Sequence, residues 1–169
     1  MLKYILLISL MLSTLTFATG SYASEFIPPP KYPLKKIPAP TLSSPPVSSL
    51  TMGKFVIKLE TTSLENVLKS IKAGKIAQRG DASESLEWIC YSMTDQYNPV
   101  RLWLLSGEID DGNVGAVVIR SMSTKDKASK KCPELPESFK PVKLDRKIWI
   151  HTSESDAREI LGKPSLESR

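Results

Sequence analysis

The chain has 169 residues, 41% of them hydrophobic, and a net charge of +5 from 23 basic and 18 acidic side chains. This length is enough for one domain with a modest core. The basic residues are scattered, and a small positive excess without a concentrated patch is not typical of a nucleic-acid-binding protein. We therefore expect no nucleic-acid partner.

Residues 1–23 have the pattern of a secretory signal peptide. Lys3 makes the start positive, the run from Tyr4 to about Ala18 is apolar, and small residues precede the expected cut after Ala23. The run of about 15 residues is shorter than the roughly 20 that span a bilayer, although an uncleaved N-terminal anchor is the alternative. No Cys lies near the cut, so a lipid anchor is not expected. The prediction is a periplasmic or secreted protein with no transmembrane segment after cleavage.

Residues 24–52 are predicted to form a disordered, proline-rich tether. Between Pro28 and Pro46, eight of nineteen residues are proline. Proline fixes φ and donates no backbone hydrogen bond, which disfavours both helix and sheet interior. The segment should be extended and polyproline-like, and we expect it to be dispensable for folding.

An α+β domain is predicted over residues 53–141. It opens with a strand at 55–59, and a Thr-x-x-Glu capping box at Thr62 begins a helix that Gly74 can end. Three more strands, with a tight Asp-Gly turn before the last one, are predicted at 86–93, 100–109 and 114–122. The simplest assembly is a helix packed on a three- to four-stranded antiparallel meander.

The last segment, 142–169, is predicted to be the strand and helix of an incomplete second unit. Residues 142–150 have an extended pattern, Thr152 or Ser153 can cap a helix, and Gly162 can end it. No strands follow to receive the apolar side of this C-terminal helix. We expect it to be less well packed than the first helix.

Cys90 and Cys132 are predicted to form a disulfide. An even number of cysteines in an oxidising compartment favours a bridge, and closing a loop of about 43 residues would stabilise the fold by about 4 kcal/mol. Two free buried thiols or a metal site are the alternatives. A metal site needs about four ligands, and the only histidine, His151, stands far away in sequence. We therefore expect no metal and no cofactor.

No catalytic residues are predicted. The chain has neither a Gly-x-Ser-x-Gly elbow nor a Gly-rich phosphate loop, so His151 is interpreted as a residue between strand and helix. Glu84 and Glu87 could cleave glycosidic bonds only inside a deep cleft, which a domain of this size rarely builds. The sequence thus favours a non-enzymatic protein.

The candidate partner-binding residues are Tyr91, Arg101 and Trp103. Strand alternation places Arg101 and Trp103 on one face of the same strand, and Trp, Tyr and Arg are enriched at binding hot spots. An exposed Trp103 beside Arg101 would favour contact with a protein partner. The alternative is that this face is a second core layer.

Three stretches of the chain resemble known proteins. The run from Thr152 to Pro164, with its Leu-Gly-Lys-Pro end, resembles the helix motif of the small outer-membrane assembly lipoproteins (SmpA/OmlA, BamE-like), which recurs in the fold of β-lactamase inhibitor proteins. Residues 61–67 resemble a weaker copy. The resemblance implies units of one helix followed by an antiparallel meander. The run from Gly80 to Tyr91 is similar to uncharacterised exported proteins of proteobacterial type.

The leading hypothesis is a non-enzymatic protein-binding module of the cell envelope, engaging a protein partner. An inhibitor of a secreted hydrolase is the alternative, and a small cell-wall or glycan hydrolase is the second alternative. The sequence does not indicate an oligomeric state.

Overall fold

The computed structural model describes residues 27–30, 47–80, 85–95, 98–123, 128–146 and 148–162. In these ranges the strands are β1 (Ser49–Met52), β2 (Phe55–Lys58), β3 (Ala77–Arg79), β4 (Leu86–Asp95), β5 (Asn98–Gly107), β6 (Ala116–Ser121) and β7 (Val142–Leu144), and the helices are α1 (Leu64–Ile71) and α2 (Glu154–Leu161). The strands form two antiparallel sheets, ordered β2-β1-β7 and β3-β4-β5-β6. No helix within the described ranges is long and apolar enough to cross a membrane.

The predicted helix on an antiparallel meander is confirmed. Strands β4, β5 and β6 are consecutive neighbours, and α1 buries Leu64, Val67 and Ile71 in the core on one face of their sheet. The helix begins one residue later than the capping box suggests. Its cap is Ser63, whose Oγ accepts from the N–H of Asn66 at 3.2 Å, because the Thr62 hydroxyl accepts instead from the N–H of Lys58.

Strand β1 corrects the predicted end of the disordered tether. Residues 49–52 lie inside the segment 24–52, yet they form the central strand of the three-stranded sheet. Leu50 and Met52 are completely buried. A four-residue strand with two apolar side chains has too short a periodic pattern to be predicted as a strand after a proline-rich stretch. The folded part therefore begins before residue 53.

Strand β7 belongs to this same sheet, which corrects the predicted separate unit over 142–169. It pairs with β1, and beyond its end the Asp145 carboxylate accepts from the backbone N–H groups of Ser48 and Ser49, at 2.9 and 3.1 Å. Desolvation raises the pKa of Asp145, but these hydrogen bonds outweigh it and lower the pKa. The strand also ends at Leu144 and is followed by a turn, so the predicted extension to residue 150 is wrong. The strand is thus part of the main fold.

The predicted C-terminal helix is confirmed as α2. The Ser153 hydroxyl caps it by accepting from the N–H of Asp156 at 3.1 Å, and Gly162 follows its last turn. No residue of α2 is fully buried. Just before it, Trp149 packs against the main core and donates its indole N–H to Asp95. The residues that precede α2 therefore attach this segment to the fold.

The four-stranded sheet is covered on both faces. On the first face, α1 and the three-stranded sheet enclose the larger core. On the second face a smaller cluster contains Trp88, Cys90 and Trp103, together with Cys132 and the partly buried Ile27 from distant parts of the chain. The candidate site lies on this second face.

Replacement of Leu50 tests whether β1 is part of the cooperative fold. Leu50→Ala should lower the free energy of unfolding by about 2–5 kcal/mol, because it leaves a cavity in a buried core. Thr51→Ala, at a half-exposed position of the same strand, is the matched control and should cost less than about 1 kcal/mol. Urea denaturation of the mature protein measures both values. Equal stability of the two variants would contradict the assignment of β1 to the core.

Candidate functional site: a tryptophan platform on the second sheet face

The predicted contact residues are all buried in the structure. Tyr91 lies on the α1 side of β4, where its hydroxyl donates to the carbonyl of Ala73 at 2.9 Å, and burial raises the pKa of Tyr91. Trp103 and Arg101 lie on the opposite side of the sheet and expose only 2% and 8% of their surface. The exposed Trp103 that a contact there would need is therefore not found, and partner binding by these three residues stays a prediction. The alternative, a second core layer, describes this face, because distant segments of the chain cover it.

The predicted disulfide between Cys90 and Cys132 is confirmed and belongs to this layer. Cys90 lies directly opposite Trp103 in the β4–β5 register. The bond holds the segment around Cys132 beside β4, where the N–H of Ser92 donates to the carbonyl of Pro133 and the N–H of Leu135 donates to the carbonyl of Ser92, each at 2.8 Å. One part of the second face is therefore covered by a covalently attached segment.

Two tryptophans converge on a single backbone carbonyl in the other part. The indole N–H groups of Trp88 on β4 and Trp103 on β5 both donate to the carbonyl oxygen of Ile27, at 3.0 and 3.1 Å. Each tryptophan is only 2% exposed. One carbonyl oxygen has two lone pairs and can satisfy both donors. We call the surface formed by Trp88 and Trp103, with the adjoining side chains of Ala77, Leu105 and Val118, the Trp platform.

The segment that lies on the platform begins a proline run. Ile27 is followed by Pro28-Pro29-Pro30, and we call residues 27–30 the strap. Within it the Pro29 ring is buried whereas Pro28 is exposed. A residue before proline is restricted to extended conformations, and proline runs leave their carbonyls without internal partners. The strap therefore presents a preformed acceptor, and the predicted tether is packed on the sheet at this point.

Arg101 lies beside the platform as a buried cation. Its guanidinium carbon is 5.9 Å from the centroid of the Trp103 ring, and its Nε is buried without a hydrogen-bond partner. Its cross-strand neighbours are Ser92 on β4 and Arg120 on β6. In the part of the chain that the structure describes, no carboxylate pairs with Arg101. The edge of the platform is therefore positively charged.

Other polar groups do not assemble into a comparable site. Over the described ranges, no three His, Cys, Asp or Glu side chains are placed to hold a metal ion. His151 lies 3.9 Å from the carboxylate of Asp95, which also accepts from Trp149. Glu84 lies outside the described residues. An open groove of about 690 Å³ lies between the β1–β2 turn and residues 137–141, but the Lys140 ammonium on its wall is already paired with two glutamates.

Sequence reasoning missed Trp88 of the platform and Ile27 of the strap. Strand alternation places Trp88 on the same face as Cys90. The predicted disulfide therefore already indicated that Trp88 lies on the sheet face that carries Cys90. Its position beside Trp103 depends on the register between β4 and β5, which alternation alone does not fix. The hydrogen bonds to Ile27 span 61 and 76 residues, and no local pattern predicts contacts at that separation.

Comparisons of the chain with models of protein families, with curated proteins and with solved structures find no match. The resemblance to the outer-membrane assembly lipoproteins and to β-lactamase inhibitor proteins therefore stays a prediction.

Removal of single indole donors tests how the strap is held. Trp88→Phe and Trp103→Phe each keep an aromatic ring and lose one hydrogen bond, worth about 0.5–1.5 kcal/mol. The remaining indole N–H should then exchange with solvent about 2- to 13-fold faster, measured by NMR on the mature protein. The double variant should weaken docking of the strap by more than the two single variants together, because the buried carbonyl of Ile27 is then left without a donor.

Trp149→Phe is the matched control for these variants, because it removes an indole donor that bonds Asp95 and not the strap. It should leave the exchange of the Trp88 and Trp103 indoles unchanged. If neither platform variant accelerates exchange at the other indole, the two hydrogen bonds do not hold the strap.

Proposed function

We propose that the protein is an exported, non-enzymatic protein-binding module whose Trp platform recognises an extended, proline-containing segment of a partner in the cell envelope. The observation that carries this proposal is the pair of hydrogen bonds from Trp88 and Trp103 to the carbonyl of Ile27, at the start of a proline run. In this structure the protein's own strap occupies the position of such a segment.

The chemistry of the platform fits proline-rich chains. A polyproline helix is preformed, so it loses little conformational entropy on binding. Its carbonyls have no internal partners and can accept the two indole N–H groups, while its rings pack on aromatic surface. The platform offers both donors within one apolar surface that includes Leu105 and Val118. A partner segment with these properties can form the same contacts as the strap.

The strap is held by few contacts, which makes replacement feasible. In the described residues it contributes one bonded carbonyl, the half-buried Ile27 side chain and one buried proline ring. Because it is covalently linked to the domain, its effective concentration can reach the millimolar range. A partner segment must therefore make additional contacts or be locally concentrated to displace it.

Export is supported by two independent features of the chain. The leader pattern of residues 1–23 is that of a secretory signal. The Cys90–Cys132 disulfide suits an oxidising compartment, where such bonds persist. A cut after Ala23 would leave Ile27 as the fourth residue of the mature chain, so the strap would lie next to its N-terminus.

A peptide that copies residues 24–32 tests the platform directly. We expect it to bind Pro29→Gly protein roughly tenfold more tightly than Pro28→Gly protein, because loss of a buried apolar ring weakens strap docking by about 1–2 kcal/mol. Each variant replaces one proline of the strap by glycine, but only the Pro29 ring is buried. The measurement is the shift of the Trp88 and Trp103 indole signals in NMR titrations, with Trp149 as internal reference.

A second peptide with its three prolines replaced by alanine is the control for the conformational argument. It should bind more weakly than the proline peptide, since it must lose more conformational entropy. If no peptide shifts the platform indoles of Pro29→Gly protein at millimolar concentration, the proposed function is wrong.

A further inference from the structure

Arg101 is a largely buried cation, and among the described residues no carboxylate pairs with it. Its Nε is buried without a hydrogen-bond partner, and 8% of the residue's surface is exposed. A buried polar nitrogen that stays unpaired costs free energy, and such groups are rare in native proteins. The ring of Trp103 compensates the charge only in part, through a cation–π contact.

The strand neighbours of Arg101 do not supply the missing partner. Arg120 lies directly opposite on β6, and like charges in opposite positions destabilise a sheet. Ser92 lies opposite on β4, but its hydroxyl donates to the carbonyl of Cys132 at 3.1 Å. Arg120 is exposed, so a second positive charge lies at the surface next to Arg101. This arrangement favours an anion that arrives with a ligand.

Trp103 contacts both the bound segment and this charge. The same Trp103 ring contacts the Arg101 guanidinium at 5.9 Å from its centroid and donates to the strap carbonyl at 3.1 Å. A polyproline helix advances about 3.1 Å per residue. A partner segment that carries a carboxylate two or three residues from the bound carbonyl can therefore bring it to the guanidinium, whose N–H groups donate to carboxylate oxygens.

We propose that Arg101 makes the Trp platform selective for proline-containing segments that carry an Asp or Glu within two or three residues of the bound carbonyl. The inference rests on the proposed function, and it names the chemistry of the partner segment. The chain's own sequence supplies a suitable probe, since Glu25 precedes Ile27 by two residues, although Glu25 lies outside the described residues.

Two peptides that differ in a single side-chain group, a carboxylate in one and a carboxamide in the other, test this inference. One copies residues 24–32 and the other carries the change Glu25→Gln, and both are titrated into full mature protein with Pro29→Gly. We expect the glutamate peptide to bind about tenfold more tightly, because a charge-assisted bond to a guanidinium is stronger than a neutral one. This comparison uses unaltered Arg101 and does not depend on how a variant at that position folds.

Arg101→Gln then assigns the preference to this residue. In that variant the two peptides should bind with equal affinity, whereas in the exposed control Arg120→Gln most of the tenfold preference should remain. Equal binding of both peptides to protein with Arg101 would overturn the carboxylate inference and leave the proposed function standing. A glutamate preference that persists in Arg101→Gln protein would overturn the role of Arg101. Failure of both peptides to bind would reject the platform proposal itself.

Discussion

The fold depends on covering the second face of the four-stranded sheet. That face carries Trp88 and Trp103, and a buried indole N–H needs an acceptor. Strands β4 and β5 pair with each other along this face and offer none, because their backbone groups are used in the ladder. The carbonyl of Ile27 satisfies both indoles. The strap is therefore part of this layer, because it supplies the acceptor that both indoles need.

The two segments that cover this face differ in how they are attached, and the difference leads to the proposed function. The segment around Cys132 is fixed by a disulfide and by backbone hydrogen bonds to Ser92. The strap is held by two hydrogen bonds to one atom and by limited apolar contact. A covalent cover stays in place, whereas a weakly held one can be exchanged for a similar segment. The buried Arg101 beside it would then distinguish one such segment from another.

Local patterns predicted the elements whose contacts are local. The capping box at Thr62 predicted the first helix correctly to within one residue, and the cysteine count predicted the disulfide correctly. Alternation also placed Arg101 and Trp103 together correctly on one face. Strand β1 was missed because its apolar pattern is only four residues long. The place of β7 in the same sheet was missed because its pairing joins residues far apart in the sequence, such as Leu50 and Leu144. The expected exposure of Trp103 failed for the same reason, since its cover comes from Ile27. The prolines do exclude helix and sheet at the strap, but an extended segment can still pack on an aromatic surface.

Contact between the platform indoles and the strap is the central claim, and NMR measures it directly. In ¹⁵N-labelled protein of residues 24–169, we expect nuclear Overhauser contacts from the indole protons of both Trp88 and Trp103 to protons of Ile27 and Pro28. We also expect both indole protons to exchange slowly with solvent. Indole protons that exchange as fast as those of a free tryptophan, with no contact to residues 27 and 28, would contradict the packing of the strap on the platform.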